Sequence, residues 1–160
     1  VKHIEDFIDV AKILYTLNQN LSFTVIGPVG DDAYFEMIKK KCSSLGLNTV
    51  VQFVGSRTQD ELVHMYQSAS VFLNTSLTHS MDKTVLEAIL CGCIPVTGNK
   101  AFVELLNEDW LYVQSASVEE YVKVVEKILT SDVSALQQKL KQRVIESHSL
   151  STFASRIFKI

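Results

Sequence analysis

Residues 71–97 have the sequence VFLNTSLTHSMDKTVLEAILCGCIPVT, and this stretch decides the fold. The apolar run over 71–74 predicts a short buried strand, and the polar residues over 75–82 predict a loop. A helix is expected over 83–91, and a second apolar run predicts a strand over 94–97. Short strands that are apolar on both faces and alternate with helices are typical of a parallel sheet covered by helices on both sides. Such sheets bind ligands at the carboxyl ends of their strands, where this loop is expected to lie.

The same alternation continues on both sides of this stretch. Further helices are predicted over 4–17, 32–45, 59–69, 102–106, 118–129, 133–147 and 151–159, and further strands over 22–26, 50–54 and 111–113. Two capping boxes, Thr58 with Glu61 and Ser117 with Glu120, mark the first turns of two of these helices. The sequence therefore predicts a single α/β domain, a Rossmann-like, doubly wound parallel sheet in three α/β/α layers.

Composition excludes several classes of protein. The chain has 160 residues, 47% of them hydrophobic and 21% charged, which suits one domain with a sizeable core. Only 6 glycines and 2 prolines argue against collagen-like or low-complexity sequence. A net charge of −3 is too mild to indicate nucleic acid as the natural ligand.

The three cysteines, Cys42, Cys91 and Cys93, indicate small core residues rather than a disulfide framework or a metal site. This usage suits a reducing cytosol, and we expect a cytoplasmic location. No apolar run is long enough for a membrane span. The basic run 39–41 and the basic residues of the tail leave peripheral contact with the inner face of a membrane as an alternative to a solvated surface.

Glu87 is the most informative side chain of the deciding stretch. It is a carboxylate about one turn into an otherwise apolar helix that follows a polar loop. A carboxylate can accept hydrogen bonds from both hydroxyls of a ribose, and the helix N-terminus before it suits a phosphate. An ordinary surface glutamate is the alternative that spacing alone leaves open.

Several ordered segments resemble the nucleotide-binding half of the retaining family-four glycosyltransferases of GT-B fold. VLEAILCGCIPV over 85–96 is similar to the family segment lEAma-G-pVi, and FTVIG over 23–27 is similar to its glycine-ended strand. VQFVG over 51–55 resembles the V.F.G strand, and Leu62 and Tyr66 before ASVFL over 69–73 resemble L...Y..ad.fl. The resemblance covers nearly the whole chain and implies that the ligand is a nucleotide-diphosphate sugar, used as donor substrate without a cofactor or an obligatory metal.

The resemblance also implies roles for individual residues. Glu87 matches the glutamate that holds the donor ribose, and residues 80–84 match the stretch that contacts the diphosphate and the sugar. These are Ser80, Met81, Asp82, Lys83 and Thr84. The residues expected to approach the base and the phosphates from other loops are Gly27, Gly30, Ser56, Arg57 and Lys2. For Asp82, a simple helix cap is the favoured alternative, and Lys83 is either a phosphate ligand or a surface lysine.

The chain departs from the family pattern in the loop. His79 stands where the family has a second glutamate facing the donor sugar, and Ser80-Met81-Asp82 replaces the Gly-Phe-Gly that follows it. We take His79 as the candidate catalytic residue, because an imidazole can still donate or accept a hydrogen bond toward a sugar.

A second departure concerns the first strand of this half, with its Gly-Arg pair, which would precede residue 1. We therefore expect a truncated piece in which the place of this strand is either a gap in the sheet or filled by a further segment or a partner. The N-terminal acceptor domain is expected to be absent as well, and the piece to be inactive alone. The expected activity is retaining sugar transfer in surface polysaccharide or glycoconjugate synthesis. One alternative is a non-catalytic glycosyltransferase-like binding or partner module. Another is a sugar-nucleotide epimerase of related fold, which would need more catalytic carboxylates than this sequence offers.

Overall fold

Seven helices and four strands alternate along the part of the chain that the structure, a computed structural model, describes, namely residues 2–106 and 110–148. The helices are α1 (Ile4–Leu17), α2 (Asp32–Ser44), α3 (Gln59–Ser68), α4 (Lys83–Leu90), α5 (Val103–Leu106), α6 (Val118–Thr130) and α7 (Ser134–His148). The strands are β1 (Phe23–Val25), β2 (Val51–Phe53), β3 (Val71–Asn74) and β4 (Ile94–Thr97), and a 3₁₀ turn over Lys100–Phe102 precedes α5. The predicted helix over 151–159 lies outside the described residues.

The strands form two parallel pairs. β1 pairs with β2, placing Phe23 opposite Val51, and β3 pairs with β4, placing Val71 opposite Ile94. Within the described residues these are separate two-stranded sheets. The predicted α/β class with parallel strands is confirmed, but one continuous sheet is not formed.

Helices cover the strands from two sides. On one side α1 packs against both α2 and α6, and on the other α4 packs against both α3 and α7. β4 contacts α4 and α6, so it lies between the two helical layers, and all four of its residues are buried.

Helix α1 joins two hydrophobic cores because its apolar residues point in two directions. Val10 and Leu14 belong to the large core around β4, and Ile8 and Ala11 belong to the smaller core around α2 and β2. Phe23 of β1 packs against both cores. The two strand pairs are therefore held in one molecule by packing through α1 rather than by strand-to-strand hydrogen bonds.

The predicted strand over 111–113 is wrong: its backbone forms only an isolated parallel bridge between Tyr112 and Thr97 of β4. Pro95 explains this. Backbone N–H groups point alternately to the two edges of a strand, and Ile94 donates its N–H to Ser70 on the β3 side. Pro95 is the next residue and therefore faces the edge next to residues 111–113, but proline has no N–H to donate there. Thr97 makes the remaining contacts: its N–H donates to the Leu111 carbonyl and its carbonyl accepts from the N–H of Val113.

The cysteines lie where the sequence places them, inside the protein. Cys42 and Cys93 are buried, Cys91 is half-buried, and all three are free thiols. Burial raises the pKa of Cys93 to about 12, with a smaller contribution from Cys91, so this thiol stays protonated. Over residues 2–106 and 110–148, no three His, Cys, Asp or Glu side chains gather as a metal site would require. No helix in those ranges is long and apolar enough to cross a membrane.

Candidate functional site

The candidate site lies at the carboxyl edge of the strands, where the loops that follow them meet. Gly27 after β1 donates its N–H to the carbonyl of Gly55 after β2, with N and O 3.0 Å apart. After β4, the side chain of Asn99 donates to the carbonyl of Ser80 in the loop after β3, at 2.9 Å. Parallel strands end at the same edge, so the predicted loops come together in two groups, one at each strand pair.

Buried amides hold the loop over 75–82. The Oδ1 of Asn74, at the end of β3, accepts from the N–H of Ser76 at 2.8 Å, which turns the chain sharply out of the strand. Asn99 accepts from the N–H of Ala101 at 3.0 Å while it donates to Ser80. Asn74 and Asn99 are only 7% and 0% exposed, so both amides are structural parts of the site rather than free binding groups.

His79, Ser80 and Met81 are exposed at the tip of this loop. The hydroxyl of Ser80 donates to Thr78, at 3.2 Å. Met81 exposes 40% of its surface, much more than a methionine packed in a core. The structure therefore presents these three predicted residues to solvent on a loop whose base is fixed.

Helix α4 begins directly after the loop and carries the two charged candidates on one face. Lys83 and Glu87 are four residues apart, which aligns them along the helix, and Lys83 is exposed while Glu87 is half-buried. The opposite face is fixed in the protein by the buried residues Val85, Ala88 and Ile89. Thr84, in the first turn, is exposed.

Tyr66 of α3 lies near enough to Glu87 to be affected by its charge. Burial raises the pKa of Tyr66 to about 12, and the negative charge of Glu87 adds to that rise. The tyrosine is 5% exposed and packs edge-on against Phe72 of β3, with the ring centroids 5.7 Å apart. Glu87 therefore lies on the side of α4 that faces α3, within electrostatic reach of this buried tyrosine.

Asp82 does not cap α4, contrary to the favoured interpretation of the sequence. It occupies the N-cap position, but its side chain makes no capping hydrogen bond. Its Oδ1 accepts from Nζ of Lys2 and its Oδ2 accepts from Nδ2 of Asn74, each at 3.0 Å. Lys2 competes successfully because its charge makes the hydrogen bond stronger than one from a neutral backbone N–H.

Lys2 therefore lies at the carboxyl end of β3, next to the loop. Its own carbonyl accepts a hydrogen bond from the Thr75 hydroxyl at 2.8 Å, which fixes the start of the described chain there. The predicted residues Lys2 and Asp82 are thus in direct contact, although no local pattern in the sequence pairs them.

The remaining candidates form the second group, at the ends of β1 and β2. Gly27 has a φ of +147°, a conformation that L side chains rarely adopt, and the space above both Gly27 and Gly30 is open. Arg57 donates to the carbonyl of Ser56 at 2.9 Å, and its Nε lies 4.0 Å from Glu61 of α3. The guanidinium therefore lies along its own loop and the first turn of α3.

The basic run over 39–41 is partly neutralised by acidic neighbours. Lys41 pairs with Asp9 of α1 at 2.6 Å, and Lys39 pairs with Glu36 on its own helix.

A supporting residue that the sequence did not reveal is Tyr121 of α6. It is 1% exposed, and its hydroxyl accepts from the N–H of Gly98 at 3.0 Å and donates to the carbonyl of Asn74 at 3.3 Å. In the sequence it is one more apolar position of the helix stripe, so no local signal marks its hydroxyl.

Comparisons with known proteins find a matching family and solved structures of the same fold. The family model described as Glycosyl transferases group 1 matches residues 1–147. The chain is 23% identical over 150 residues to an Arabidopsis thaliana protein named as a subunit of phosphatidylinositol N-acetylglucosaminyltransferase. That match covers 93% of this chain and 33% of the relative, so the chain spans about a third of the length of the curated protein it matches.

Solved structures share the fold. A mutant of S. aureus TarM, crystallised with fondaparinux, alpha-GlcNAc-glycerol and UDP, superposes with a TM-score of 0.80 at 15% identity, over 99% of this chain and 32% of that one. The catalytic domain of cholesterol-alpha-glucosyltransferase from Helicobacter pylori gives 0.72 at 17% identity, over 89% of this chain and 88% of that one. WaaG, a glycosyltransferase involved in lipopolysaccharide biosynthesis, gives 0.70 at 19% identity, over 96% of this chain and 41% of that one.

Proposed function

The chain belongs to the group 1 glycosyl transferases, and from that premise we propose that it forms the donor-binding half of a glycosyltransferase. The enzyme transfers a sugar, with retention, from a nucleotide-diphosphate sugar to an acceptor in polysaccharide or glycoconjugate synthesis. The observation that carries the proposal is the position of exposed Lys83 and half-buried Glu87 on one face of α4, a helix that begins at the carboxyl edge of the sheet. A cation and a hydrogen-bond acceptor one turn apart suit the phosphate and the ribose of one nucleotide.

In this proposal Glu87 accepts hydrogen bonds from the ribose hydroxyls. Lys83, Lys2 and the free N–H groups at the start of α4 neutralise the diphosphate, which becomes the leaving group. Residues 80–82 of the loop and Thr84 contact the diphosphate and the sugar through the backbone. On the other strand pair, Ser56 and Arg57 lie against the base, and the open space above Gly27 and Gly30 lets the nucleotide approach the backbone.

His79 is the proposed catalytic residue. The residue is exposed on the loop, four residues before the start of α4, and in this proposal its imidazole faces the donor sugar. Retention then depends on a histidine, and not a carboxylate, that hydrogen-bonds the sugar and stabilises the charge that develops as the glycosidic bond breaks.

The donor proposed for the first test is UDP-N-acetylglucosamine. The name of the Arabidopsis relative specifies N-acetylglucosaminyl transfer, and the TarM structure contains UDP and alpha-GlcNAc-glycerol. The chain spans about a third of both proteins, so we propose that the acceptor-binding half, and the remaining strand of the sheet, come from the rest of the full-length protein. We further propose a cytoplasmic enzyme that attaches peripherally to the inner face of a membrane, which fractionation of cells would test.

A non-catalytic module is the second candidate function. It is favoured by His79 in place of a carboxylate and by the Lys2–Asp82 pair, which uses a cation that a diphosphate would need. The two candidates differ in turnover and share nucleotide binding. If it is an enzyme, full-length protein supplied with UDP-N-acetylglucosamine should release UDP as the sugar passes to an acceptor or, more slowly, to water. His79→Ala should abolish this release while leaving UDP affinity within about twofold.

Nucleotide binding itself is tested by calorimetric titration with UDP and 2′-deoxy-UDP. The wild-type chain should prefer UDP, and Glu87→Gln should weaken UDP binding about tenfold and remove the preference, because hydrogen bonds to a charged acceptor are worth about 1.5–3 kcal/mol. Glu126→Gln, the same change on the exposed side of α6, is the matched control and should bind like the wild type. If the chain binds neither UDP nor GDP nor ADP, the donor-site proposal is rejected. Unchanged UDP affinity in Glu87→Gln would reject the ribose role alone.

A further inference from the structure

The carboxylate of Asp82 is bound much as an anionic ligand would be. One oxygen accepts from the Lys2 ammonium and the other from the Asn74 amide, each at 3.0 Å. The Asp82 side chain is 15% exposed whereas that of Lys2 is 64% exposed, so the carboxylate is the inner member of the pair. The hydrogen bonds that it makes are directed across the loop instead of toward its own helix.

The four charged side chains around the N-terminus of α4 carry no net formal charge. Lys2 and Lys83 contribute two positive charges, and Asp82 and Glu87 contribute two negative ones, so the formal charges cancel. A nucleoside diphosphate carries at least two negative charges and needs the same lysine that Asp82 holds. Any phosphate that binds Lys2 also comes close to the Asp82 carboxylate, which repels it.

We propose that Asp82 is a built-in competitor for the donor's diphosphate: in the empty site it occupies Lys2, and the nucleotide binds only by displacing it. This inference rests on the proposed function and adds to it a control on affinity. The site therefore holds a diphosphate less tightly than its lysines alone would allow, and product release is correspondingly easier.

The environment of Asp82 supports this assignment. Burial raises the pKa of its carboxyl, but the hydrogen bonds from Asn74 and Lys2 and the charge of Lys2 outweigh burial and lower the pKa below its usual 3.8. Asp82 is thus fully charged at neutral pH, as a competitor of phosphate must be.

The test is a set of UDP titrations on the full 160-residue chain. Asp82→Asn keeps the shape of the side chain and removes its charge, and it should tighten UDP binding about tenfold. Lys2→Met should weaken UDP binding, and Asp82→Asn in the Lys2→Met background should gain much less than it does alone, because the lysine to be released is gone. Uridine, which has no phosphate, should bind equally to wild type and Asp82→Asn.

Asp60→Asn is the matched control, since it removes the same charge from an exposed position in the first turn of α3. It should leave UDP affinity unchanged. Asp82→Ser, which keeps a residue able to cap α4, replaces Asp82→Asn if thermal melts show that the amide variant does not fold.

Two results would overturn the inference while leaving the proposed function intact. One is that the wild type binds UDP and Asp82→Asn binds it with equal or lower affinity. The other is an undiminished gain in the Lys2→Met background, which would show that Asp82 does not act through Lys2. If neither the wild type nor any variant binds UDP, GDP, ADP or uridine, the proposed function fails and the inference fails with it.

Discussion

The hydroxyl of Tyr121 accepts a hydrogen bond from the N–H of Gly98, with oxygen and nitrogen 3.0 Å apart inside the protein. The same hydroxyl donates to the carbonyl of Asn74, so one side chain of α6 connects the carboxyl ends of β3 and β4. The Asn74 amide in turn holds Ser76 and Asp82 of the candidate site loop. The stability of that loop therefore depends on a tyrosine with no direct role in the proposed chemistry.

Removing this hydroxyl should destabilise the protein. Tyr121→Phe leaves the buried N–H of Gly98 without its partner, which costs about 1–3 kcal/mol. Urea unfolding followed by circular dichroism measures the loss. Tyr15→Phe is the control, because this half-buried hydroxyl makes no hydrogen bond to the residues that the structure describes, and its variant should stay within about 0.5 kcal/mol of wild type. Equal stability of the two variants would contradict the role assigned to Tyr121.

A side chain at Gly98 should also be destabilising. A Cβ placed there would lie 2.8 Å from the Cβ of Ala116 and 3.1 Å from the carbonyl oxygen of Val113, and backbone on that side cannot easily shift. Gly98→Ala should therefore lower the free energy of unfolding by about 1–3 kcal/mol. Gly30→Ala, which would meet open space, should be neutral in the same urea titration. A Gly98→Ala protein as stable as wild type would show that the carboxyl ends of the strands are loosely packed.

The capping box of α3, predicted from sequence and confirmed by the structure, makes a third test. Thr58 accepts from the N–H of Glu61, and the Glu61 carboxylate accepts from the N–H of Thr58 at 2.8 Å. Thr58→Ala should cost about 1 kcal/mol of stability. Thr130→Ala, at the carboxyl end of α6, removes only a hydroxyl that donates to the Glu126 carbonyl and should change the unfolding midpoint less. If Thr130→Ala lost more stability than Thr58→Ala, the loss in Thr58→Ala could not be attributed to the helix cap.

Local signals in the sequence were enough to place most elements. The apolar stripe of α1 predicted bounds that match the structure over Ile4–Leu17, and the apolar runs of β3 and β4 did the same. Each of these predictions depends on residues a few positions apart. The predicted capping box of Ser117 and Glu120 is only half formed. The Ser117 side chain accepts from the N–H of Glu120 as expected. The Glu120 carboxylate, however, accepts from the N–H groups of Gln114 and Ser115 instead of that of Ser117.

The failures at the site involve partners that are distant in the chain. Asp82 looked like a helix cap because its position fits one, and Lys2, 80 residues away, determines its actual role. No local pattern marks the hydroxyl of Tyr121, because the carbonyl that it contacts is 47 residues away. Hydrogen bonds of this kind depend on the tertiary fold, which no local pattern in the sequence contains.

The pairing of Asp82 with Lys2 predicts how stability depends on pH. Hydrogen bonds and the lysine charge lower the carboxyl pKa of Asp82 in the folded protein, so the folded state favours the charged form. The resulting stability is present above the unfolded pKa of 3.8 and is lost as pH falls through the lower folded value. Thermal melts of wild type and Asp82→Asn should differ by a constant amount near neutral pH and converge below pH 3.8. Added salt should also reduce the difference, because Lys2 is exposed. A difference that stays constant into strong acid would contradict the ion pair as its origin.

The separation of the two strand pairs predicts which amides exchange with solvent. β1 pairs with β2 and β3 pairs with β4, so within the described residues β1 and β3 each keep one edge without a strand partner. Lys2 lies at the carboxyl end of β3, and the ring of Phe7, in α1, packs edge-on against Phe23 of β1 with centroids 6.3 Å apart. In the proposal for the full-length protein, a strand that enters before α1 lies between β1 and β3.

Hydrogen exchange measured by NMR tests this proposal directly. In the 160-residue chain, amides on the unpaired edges of β1 and β3 should exchange faster than those of β4, all of whose residues are buried. In the full-length protein the same edge amides should become protected by about tenfold or more, because an added parallel strand would give them backbone acceptors. The β4 amides serve as the internal control and should change little. If the edge amides of β1 and β3 exchange equally fast in both proteins, no strand fills the space between them and the expected gap in the sheet belongs to the full-length protein as well.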